Sequence, residues 1–301
     1  MRDQSTLDPA SRAADKIAEL WWILFVVSAI VFAVVVVLLL VGALRGRGGG
    51  APDRSERPRS RLFVAVAGMA VPAVVVIALF FASVATLPDV APSSTTARMR
   101  IDVVGRQWFW DVYYRNGTVR TSNEIHVPAG EPVELRVRSD DVIHSLWVPR
   151  LNRKIDMILG RTSSIVIDVR KPGVYRGQCA EFCGVEHGNM ALLVVADPPV
   201  RFDAWLAHQA EPGPASTLFL NDGCGGCHRI AGTPAESRFG PDLTHFGDRL
   251  TIGAGTLPNT RDALVAWLRD PQQVKPGNKM PNLHLSDDDI LHLVGFLKTQ
   301  S

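Results

Sequence analysis

The chain has 301 residues, with 32 Lys and Arg against 30 Asp and Glu, and a formal net charge of +2. This length allows two or three domains, and so small a charge gives no support for a nucleic-acid partner. The four cysteines form two closely spaced pairs. This spacing argues against a disulfide-rich secreted scaffold and favours cofactor binding.

Two apolar runs are long enough to cross a membrane. Residues 20–44 and residues 63–87 contain no charged side chain, and a spanning helix needs about 20 apolar residues. The first run follows a mainly polar segment, is longer than the apolar part of a signal peptide, and has no small-residue cleavage site after it. Residues 1–97 are therefore predicted to form an N-terminal segment and a transmembrane α-hairpin.

The charge of the loop between the two runs predicts the orientation of the hairpin. This loop carries six arginines and two acidic residues, namely Arg45, Arg47, Arg54, Arg57, Arg59, Arg61, Asp53 and Glu56. Short arginine-rich loops remain in the cytoplasm, so both termini and the chain after about residue 88 are expected on the outer side. Neither run holds an ionisable residue, so no proton path is expected through the hairpin. The hairpin is either a simple anchor or also a docking element for a larger membrane partner.

Residues 98–197 are predicted to form a β-sandwich. Before them, Pro88, Pro92 and the polar cluster at 93–96 indicate a short linker. In residues 133–138 apolar side chains alternate with charged ones, as in a half-buried strand. Shorter apolar runs follow, at residues 164–169 and 191–195. Several short strands separated by Gly and Pro turns are typical of a sandwich.

A proline-rich linker over residues 198–214 leads to a helical region at residues 215–301. The apolar face of a short predicted helix within the linker consists of Phe202, Trp205 and Leu206. Further helices are expected up to Cys224 and over residues 260–269. A last helix begins with Ser286 as its N-cap. Its predicted core face consists of Ile290, Leu291, Val294 and Leu297.

The helical region contains a haem attachment sequence. In Cys224-Gly-Gly-Cys227-His228, two cysteines have the spacing to bond the vinyl groups of one porphyrin, and the histidine follows beneath the iron. Met280 is the candidate sixth iron ligand. A main-chain carbonyl in residues 240–243 is the candidate acceptor for the ring of His228. A redox Cys-x-x-Cys motif or half of a zinc site is the alternative.

Together these residues resemble an all-α class I cytochrome c domain over most of residues 215–299. The resemblance implies a covalently bound haem c. Histidine and methionine as axial ligands raise the reduction potential of the iron and favour electron transfer over oxygen chemistry. A buried porphyrin also fills the centre of a small domain that has a thin core.

A second set of ligand residues occupies twelve positions near the end of the sandwich region, namely Cys179, Cys183, His187 and Met190. Thiolate, imidazole and thioether ligands select copper over hard cations. One cysteine with two histidines and a methionine would indicate a mononuclear blue copper site, whereas two cysteines can bridge two metal ions. A second imidazole must then come from elsewhere, and His144 is the candidate. A disulfide beside an incidental histidine is the alternative.

Three segments, at residues 105–110, 144–149 and 179–190, resemble subunit II of the haem-copper cytochrome c oxidases. With the haem region included, the resemblance is to the form that carries a fused cytochrome c. It implies a cupredoxin-like sandwich and a dinuclear copper (CuA) centre. The implied ligands are His144, Cys179, Cys183, His187, Met190 and the main-chain carbonyl of Glu181.

The resemblance implies roles for two further side chains. The Glu181 carboxylate would bind a magnesium ion shared with the catalytic subunit, since a carboxylate suits that hard cation. Trp108 would lie where electrons enter the copper centre. Ordinary aromatic core packing is the alternative for both Trp108 and Trp110.

The implied function is that of the electron-input subunit of a proton-translocating haem-copper oxidase. Electrons would pass from an external donor, either a cytochrome c or a cytochrome c reductase complex, through haem c and copper to the oxygen-reducing subunit I. Subunit III is a further expected partner. The expected location is the bacterial cytoplasmic (inner) membrane, with the large domains on the periplasmic side. A copper-handling protein and a free-standing electron carrier for another terminal reductase are the rival hypotheses.

Overall fold

The computed structural model describes residues 4–45, 62–90, 97 and 99–300. The chain forms two compact units, one at Asp15–Val90 and one that combines Met1–Ala14 with Ala91–Ser301. The arginine-rich loop after Arg45 lies outside the described residues, as do Pro92 and the polar cluster of the predicted linker.

The smaller unit consists of two apolar helices. Helix α1 spans Arg12–Arg45, and helix α2 spans Val71–Val90 after a π-helical turn at Val66–Ala70. Both helical segments are long and apolar enough to cross a membrane. The linker prediction was wrong at Pro88, which lies inside the last turn of α2. A proline removes only one backbone hydrogen bond so close to the end of a helix.

Ten strands of the larger unit form a sandwich of two five-stranded sheets. They are β1 Met99–Arg106, β2 Phe109–Tyr114, β3 Val119–Ser122, β4 Glu124–Pro128, β5 Pro132–Ser139, β6 His144–Trp147, β7 Ile155–Met157, β8 Ser163–Asp168, β9 Gly173–Cys179 and β10 Ala191–Asp197. The strand orders are β3-β2-β1-β5-β8 and β4-β10-β9-β6-β7. Each sheet contains one parallel pair, β1 with β5 and β4 with β10.

Alternating side chains build the core between the sheets. Ile101 and Val103 of β1 are fully buried, and they lie opposite Leu135 and Val137 of β5, which are buried as well. Arg136 lies between those two on the outer face and pairs with an aspartate there. The alternation predicted for this strand is confirmed, because successive side chains of a strand point to opposite faces.

Strand pairing brings distant parts of the sequence to one end of the sandwich. Strand β6 pairs antiparallel with β9, so that Leu146 lies opposite Cys179. His144, two residues before Leu146, therefore lies close to the C-terminal end of β9. The loop that joins β9 to β10 begins at the same point.

Helices follow the sandwich. They are α3 Pro199–His208, α4 Thr217–Asn221, α5 Arg261–Arg269, α6 Pro271–Val274 and α7 Asp287–Lys298, with a short hairpin of β11 Thr251–Ile252 and β12 Leu257–Pro258. The Ser286 side chain accepts a hydrogen bond from the Asp289 amide, so the predicted N-cap of α7 is confirmed.

The buried face of α7 differs from the prediction at one position. Ile290, Val294 and Leu297 are buried, but Leu291 is 52% exposed and Leu293 is buried in its place. Positions i, i+3, i+4 and i+7 share one helix face. Leu291 is turned by about 100° from Ile290, so it faces away from the core.

The residues that precede α1 pack against the sandwich. The Ala10 amide donates to Arg150 O at 2.8 Å, and the Arg170 amide donates to Ala10 O at 3.1 Å. The hydroxyl of the buried Ser11 donates to Leu151 O. The segment before the first apolar helix thus belongs to the same compact unit as the domains after the second.

Candidate copper and haem sites

The side chains of five predicted copper ligands converge at one end of the sandwich. His144 begins β6, Cys179 ends β9, and the others lie in the loop between β9 and β10. Cys179 Sγ lies 3.8 Å from His144 Nδ1 and 3.7 Å from Cys183 Sγ. Cys183 Sγ lies 3.6 Å from His187 Nδ1 and 3.8 Å from Met190 Sδ.

The donor set fits copper. The main-chain O of Glu181 lies 3.2 Å from Cys179 Sγ, which adds the sixth predicted ligand to the sulfur and imidazole donors. Cys179 and Cys183 are free, and their sulfurs are too far apart for a bond, so the disulfide alternative was wrong. Soft donors of this kind, gathered in a buried group, favour copper over hard cations.

The two thiols are electrostatically coupled. Hydrogen bonds, the strongest from Cys183 and another from the His144 ring, outweigh burial and together lower the pKa of Cys179 to about 3. The hydrogen bond between the two thiols, together with burial, raises the pKa of Cys183. The pair therefore accepts one negative charge readily and resists a second one. Bound cations supply the charge that two thiolates need.

The ring of His144 is held by contacts that the sequence reasoning missed. Its Nε2 lies 2.8 Å from Asp141 Oδ1, so its Nδ1 faces the cysteine pair. A carboxylate on the far nitrogen orients a metal-binding imidazole. A Cβ on Gly105 would lie only 2.8 Å from the ring, so a glycine is needed where β1 passes it.

The loop between β9 and β10, here called the copper loop, is also hydrogen-bonded to the turn between β1 and β2. The carbonyl oxygen of Cys183 accepts two hydrogen bonds, from Gln107 Nε2 at 2.8 Å and from Trp108 Nε1 at 3.0 Å. Trp108 is partly buried at the edge of the core, whereas Trp110 is fully buried within it. The core-packing alternative therefore describes Trp110.

A cavity of about 370 Å³ lies in the helical region. Its wall contains all four predicted haem-binding residues, Cys224, Cys227, His228 and Met280. Most of the remaining wall is apolar, with contributions from Phe219, Phe246, Leu264, Leu268, Leu293 and Leu297. An apolar cavity with two thiols, an imidazole and a thioether on its wall fits a covalently attached porphyrin.

The imidazole of His228 is oriented for an axial ligand. Its Nδ1–H donates to Pro241 O at 2.8 Å, which confirms the predicted main-chain acceptor and leaves Nε2 free for iron. Burial lowers the pKa of His228, so the ring remains neutral. A Cβ on Gly240 would lie 2.7 Å from the ring, so the backbone can pack this closely against His228 only with a glycine at position 240.

Residues 278–280, here called the Met280 loop, are held in place by side-chain amides. The Met280 amide donates to Asn278 Oδ1 at 2.8 Å, and Met280 O accepts from Gln272 Nε2 at 2.8 Å. Lys279 Nζ lies 5.9 Å from the ring centroid of Trp108 and 3.9 Å from Asp141 Oδ2. The loop that carries the thioether thus lies against the residues that support the copper cluster.

The sandwich forms part of the haem cavity wall, through Gln107, Trp108, Phe109 and Asn123. On the His228 side, Arg120 pairs with the buried Asp111 at 2.9 Å and donates to Gly240 O at 3.4 Å. Ser122 Oγ accepts a hydrogen bond from the Asp242 amide. The contacts of Arg120 with Gly240 and of Ser122 with Asp242 join residues 120 positions apart, so no local sequence pattern could have revealed them.

Two protein families match separate parts of the chain. Residues 115–197 match the family described as cytochrome c oxidase subunit II, periplasmic domain, and residues 214–301 match the family described as cytochrome c.

The chain is also similar to several curated relatives. The cytochrome c oxidase subunit 2 of Alkalihalophilus pseudofirmus is 36% identical over 66% of this chain and 60% of its own length. That of Bacillus sp. strain PS3 is 35% identical over 65% of this chain and 61% of its own length. That of Bacillus subtilis is 27% identical over 98% of this chain and 91% of its own length. The chain thus spans about three-fifths of the length of the first two relatives.

Among solved structures, the periplasmic domain of subunit II of the cytochrome oxidase of Bradyrhizobium japonicum aligns with a TM-score of 0.35. The alignment has 27% sequence identity and covers 37% of this chain and 92% of that one.

The sandwich with its sulfur and imidazole cluster, joined to a helical domain with a haem-type cavity, defines a membrane-anchored cupredoxin–cytochrome c protein. Both family matches agree with this class. The chain is thus similar to cytochrome c oxidase subunit II over its sandwich and to cytochrome c over its helical region.

Proposed function

We propose that the chain is the electron-input subunit of a haem-copper terminal oxidase. It passes electrons from an external donor through haem c and a dinuclear copper centre to the oxygen-reducing catalytic subunit. Each of these groups, when bound, accepts and releases one electron at a time. The haem c residues are Cys224, Cys227, His228 and Met280. The copper residues are His144, Cys179, Glu181, Cys183, His187 and Met190.

The position of Trp108 carries this proposal. Trp108 lines the cavity that also contains His228 and Met280. Its indole Nε1–H donates to the carbonyl oxygen of Cys183, a residue of the copper cluster. One side chain therefore links the two sites through a hydrogen bond, and we assign it the role of electron entry to copper.

The residues of the chain hold both donor sets in fixed positions. His144, Cys179 and Cys183 are buried, and the far nitrogens of His144 and His228 each have a hydrogen-bond partner. Donors held by packing and by such supporting contacts keep their geometry when the charge of a bound group changes. This arrangement favours repeated electron transfer over metal storage.

The tip of the copper loop is the proposed contact with catalytic subunit I. Phe182 and Val185 of this loop are 76% and 75% exposed, and exposed apolar patches mark interaction sites. The neighbouring Glu181 carboxylate lies 3.5 Å from Lys154 Nζ. We infer that this carboxylate would also bind a magnesium ion shared with subunit I, and that subunit III joins the same complex.

The two apolar helices support a location in the bacterial cytoplasmic (inner) membrane, with the large unit on the periplasmic side. The docking of Ala10 and Ser11 on that unit supports an outer N-terminal segment. Short arginine-rich loops favour the cytoplasmic side, which agrees with this orientation.

The test is metal analysis of the full-length chain purified in detergent, combined with optical and electron paramagnetic resonance spectra. We expect two copper ions and one haem per chain, and co-purification with a haem-copper catalytic subunit. Rapid loss of copper to a mild chelator would favour a copper-handling protein instead. Co-purification with a different terminal reductase would favour a free-standing carrier.

A further inference from the structure

Lys275 is a buried lysine at the junction of the copper and haem sites. It is 2% exposed and lines the haem cavity. Its ammonium donates to three main-chain oxygens, those of Asn189 at 2.7 Å, Trp108 at 3.1 Å and Gly253 at 3.1 Å. An ammonium group has three donors, so every one of them is used.

The three acceptors belong to three separate segments. Trp108 precedes β2 and contacts the copper loop, Asn189 directly precedes Met190 of the copper cluster, and Gly253 lies in the turn between β11 and β12. Lys275 itself lies between α6 and the Met280 loop. One buried cation therefore joins the haem domain to both segments that border the copper cluster.

A lysine is an unusual residue at so buried a position. Lysine is almost never fully buried, and this ammonium is solvated by carbonyl dipoles. Burial lowers the pKa of Lys275 to about 8, so the group keeps its proton and all three donors at neutral pH. Main-chain acceptors cannot be lost by side-chain exchange, so a substitution of the lysine is the change that removes all three of these hydrogen bonds at once.

We propose that Lys275 is a positioning residue for electron transfer between the two sites, acting through the backbone of Trp108. It fixes Trp108, the end of the copper loop and the haem domain relative to one another. This inference rests on the proposed function, because it assumes that an electron moves between the haem and copper residues.

The first test needs no electron transfer. Lys275→Met keeps the length of the side chain and removes its donors, and hydrogen–deuterium exchange of the full-length chain measures backbone protection. We expect faster exchange in residues 107–109, 188–190 and 252–254 together. Lys298→Met is the matched control, because Lys298 Nζ donates only within the haem domain, to Asn259 O and Gly247 O. Unchanged protection of the three segments in Lys275→Met would overturn the proposal.

The second test measures the transfer rate in the purified oxidase complex after rapid photoreduction of the haem. We expect Lys275→Met to slow the reduction of copper by roughly tenfold or more, with the haem and copper spectra unchanged. Lys275→Gln retains two N–H donors, and we expect an intermediate rate. Equal rates in the wild-type protein and both variants would refute a positioning role. Absence of transfer in the wild-type protein itself would instead refute the proposed function.

Discussion

The indole of Trp108 donates a 3.0 Å hydrogen bond to the carbonyl oxygen of Cys183, and the same tryptophan lines the haem cavity. We expect Trp108→Phe to slow electron transfer from haem to copper by roughly tenfold or more, because the hydrogen-bonded link is lost. Flash photoreduction with optical detection at both sites measures this rate. Trp205→Phe is the control, since Trp205 stacks on His126, outside the cavity wall. Equal slowing in both variants would argue against a specific path through Trp108.

Cysteine substitutions should separate the two cofactors. Cys183→Ser removes a thiol that lies within 3.8 Å of three other donors. We expect it to abolish the dinuclear copper signal and leave the haem spectrum intact, because a hydroxyl is a poor ligand for copper. Cys227→Ser should retain the copper signal and lose one of the two thioether bonds to the haem. Metal analysis and paramagnetic resonance check both, and a full copper signal in Cys183→Ser would contradict the ligand assignment.

The buried ion pair between Arg120 and Asp111 should stabilise the junction of the two domains. Asp111 is fully buried, and burial raises the pKa of its carboxyl group although two arginines oppose this. Arg120→Met would leave that carboxylate with Arg106 as its cationic partner. We expect a loss of about 3 kcal/mol in the free energy of unfolding, measured by denaturant titration of the full-length protein.

The control for this prediction is a more exposed ion pair in the same sheet. Arg136 lies 2.6 Å from Asp102, and both side chains are partly exposed. We expect Arg136→Met to cost at most about 1 kcal/mol, since solvent screens such pairs. Similar losses in both variants would show that burial of Asp111 does not determine the effect.

The stability of the large unit should depend on the protonation of His126. Burial lowers the pKa of this imidazole, but the carboxylates of Asp197 and Glu124, at 3.5 and 3.6 Å, outweigh burial, so the net shift is upward. The folded protein then holds the proton more tightly than the unfolded chain. The stabilisation is complete below the unfolded pKa of about 6.5, and it is lost as the pH rises through the folded pKa.

Unfolding midpoints measured across this pH range test the prediction. His126→Gln should flatten the decline in stability towards alkaline pH, because Glu124 and Asp197 then have no titrating partner between them. Asp197→Asn should reduce the decline in part, since Glu124 remains 3.6 Å from the imidazole. An unchanged slope in His126→Gln would assign the dependence to other groups.

Much of both sites could be predicted because their ligands follow short-range rules. Cys224, Cys227 and His228 are set by a five-residue spacing, and four donors of the copper cluster lie within one loop. His144 was the exception, because it lies 35 positions before Cys179, and its prediction rested on the need for a second imidazole. The strands of the sandwich followed from the alternation of apolar and charged side chains.

The contacts between the domains could not be predicted from the sequence. Lys275, next to Pro276, has the local sequence of an exposed loop lysine, and only the folded chain brings it to Trp108, 167 positions away. Arg120 likewise takes its role from Gly240, which is 120 positions away. The error at Leu291 has a simpler origin, since helical periodicity selects Leu293.

The attachment of Ser11 to Leu151 has a consequence for biogenesis. The two residues are 140 positions apart, and both membrane helices lie between them. At a synthesis rate of about 5–20 residues per second, the early segment waits on the order of ten seconds before its docking surface leaves the ribosome. In the proposed orientation, these early residues complete their fold only after the sandwich has crossed the bilayer.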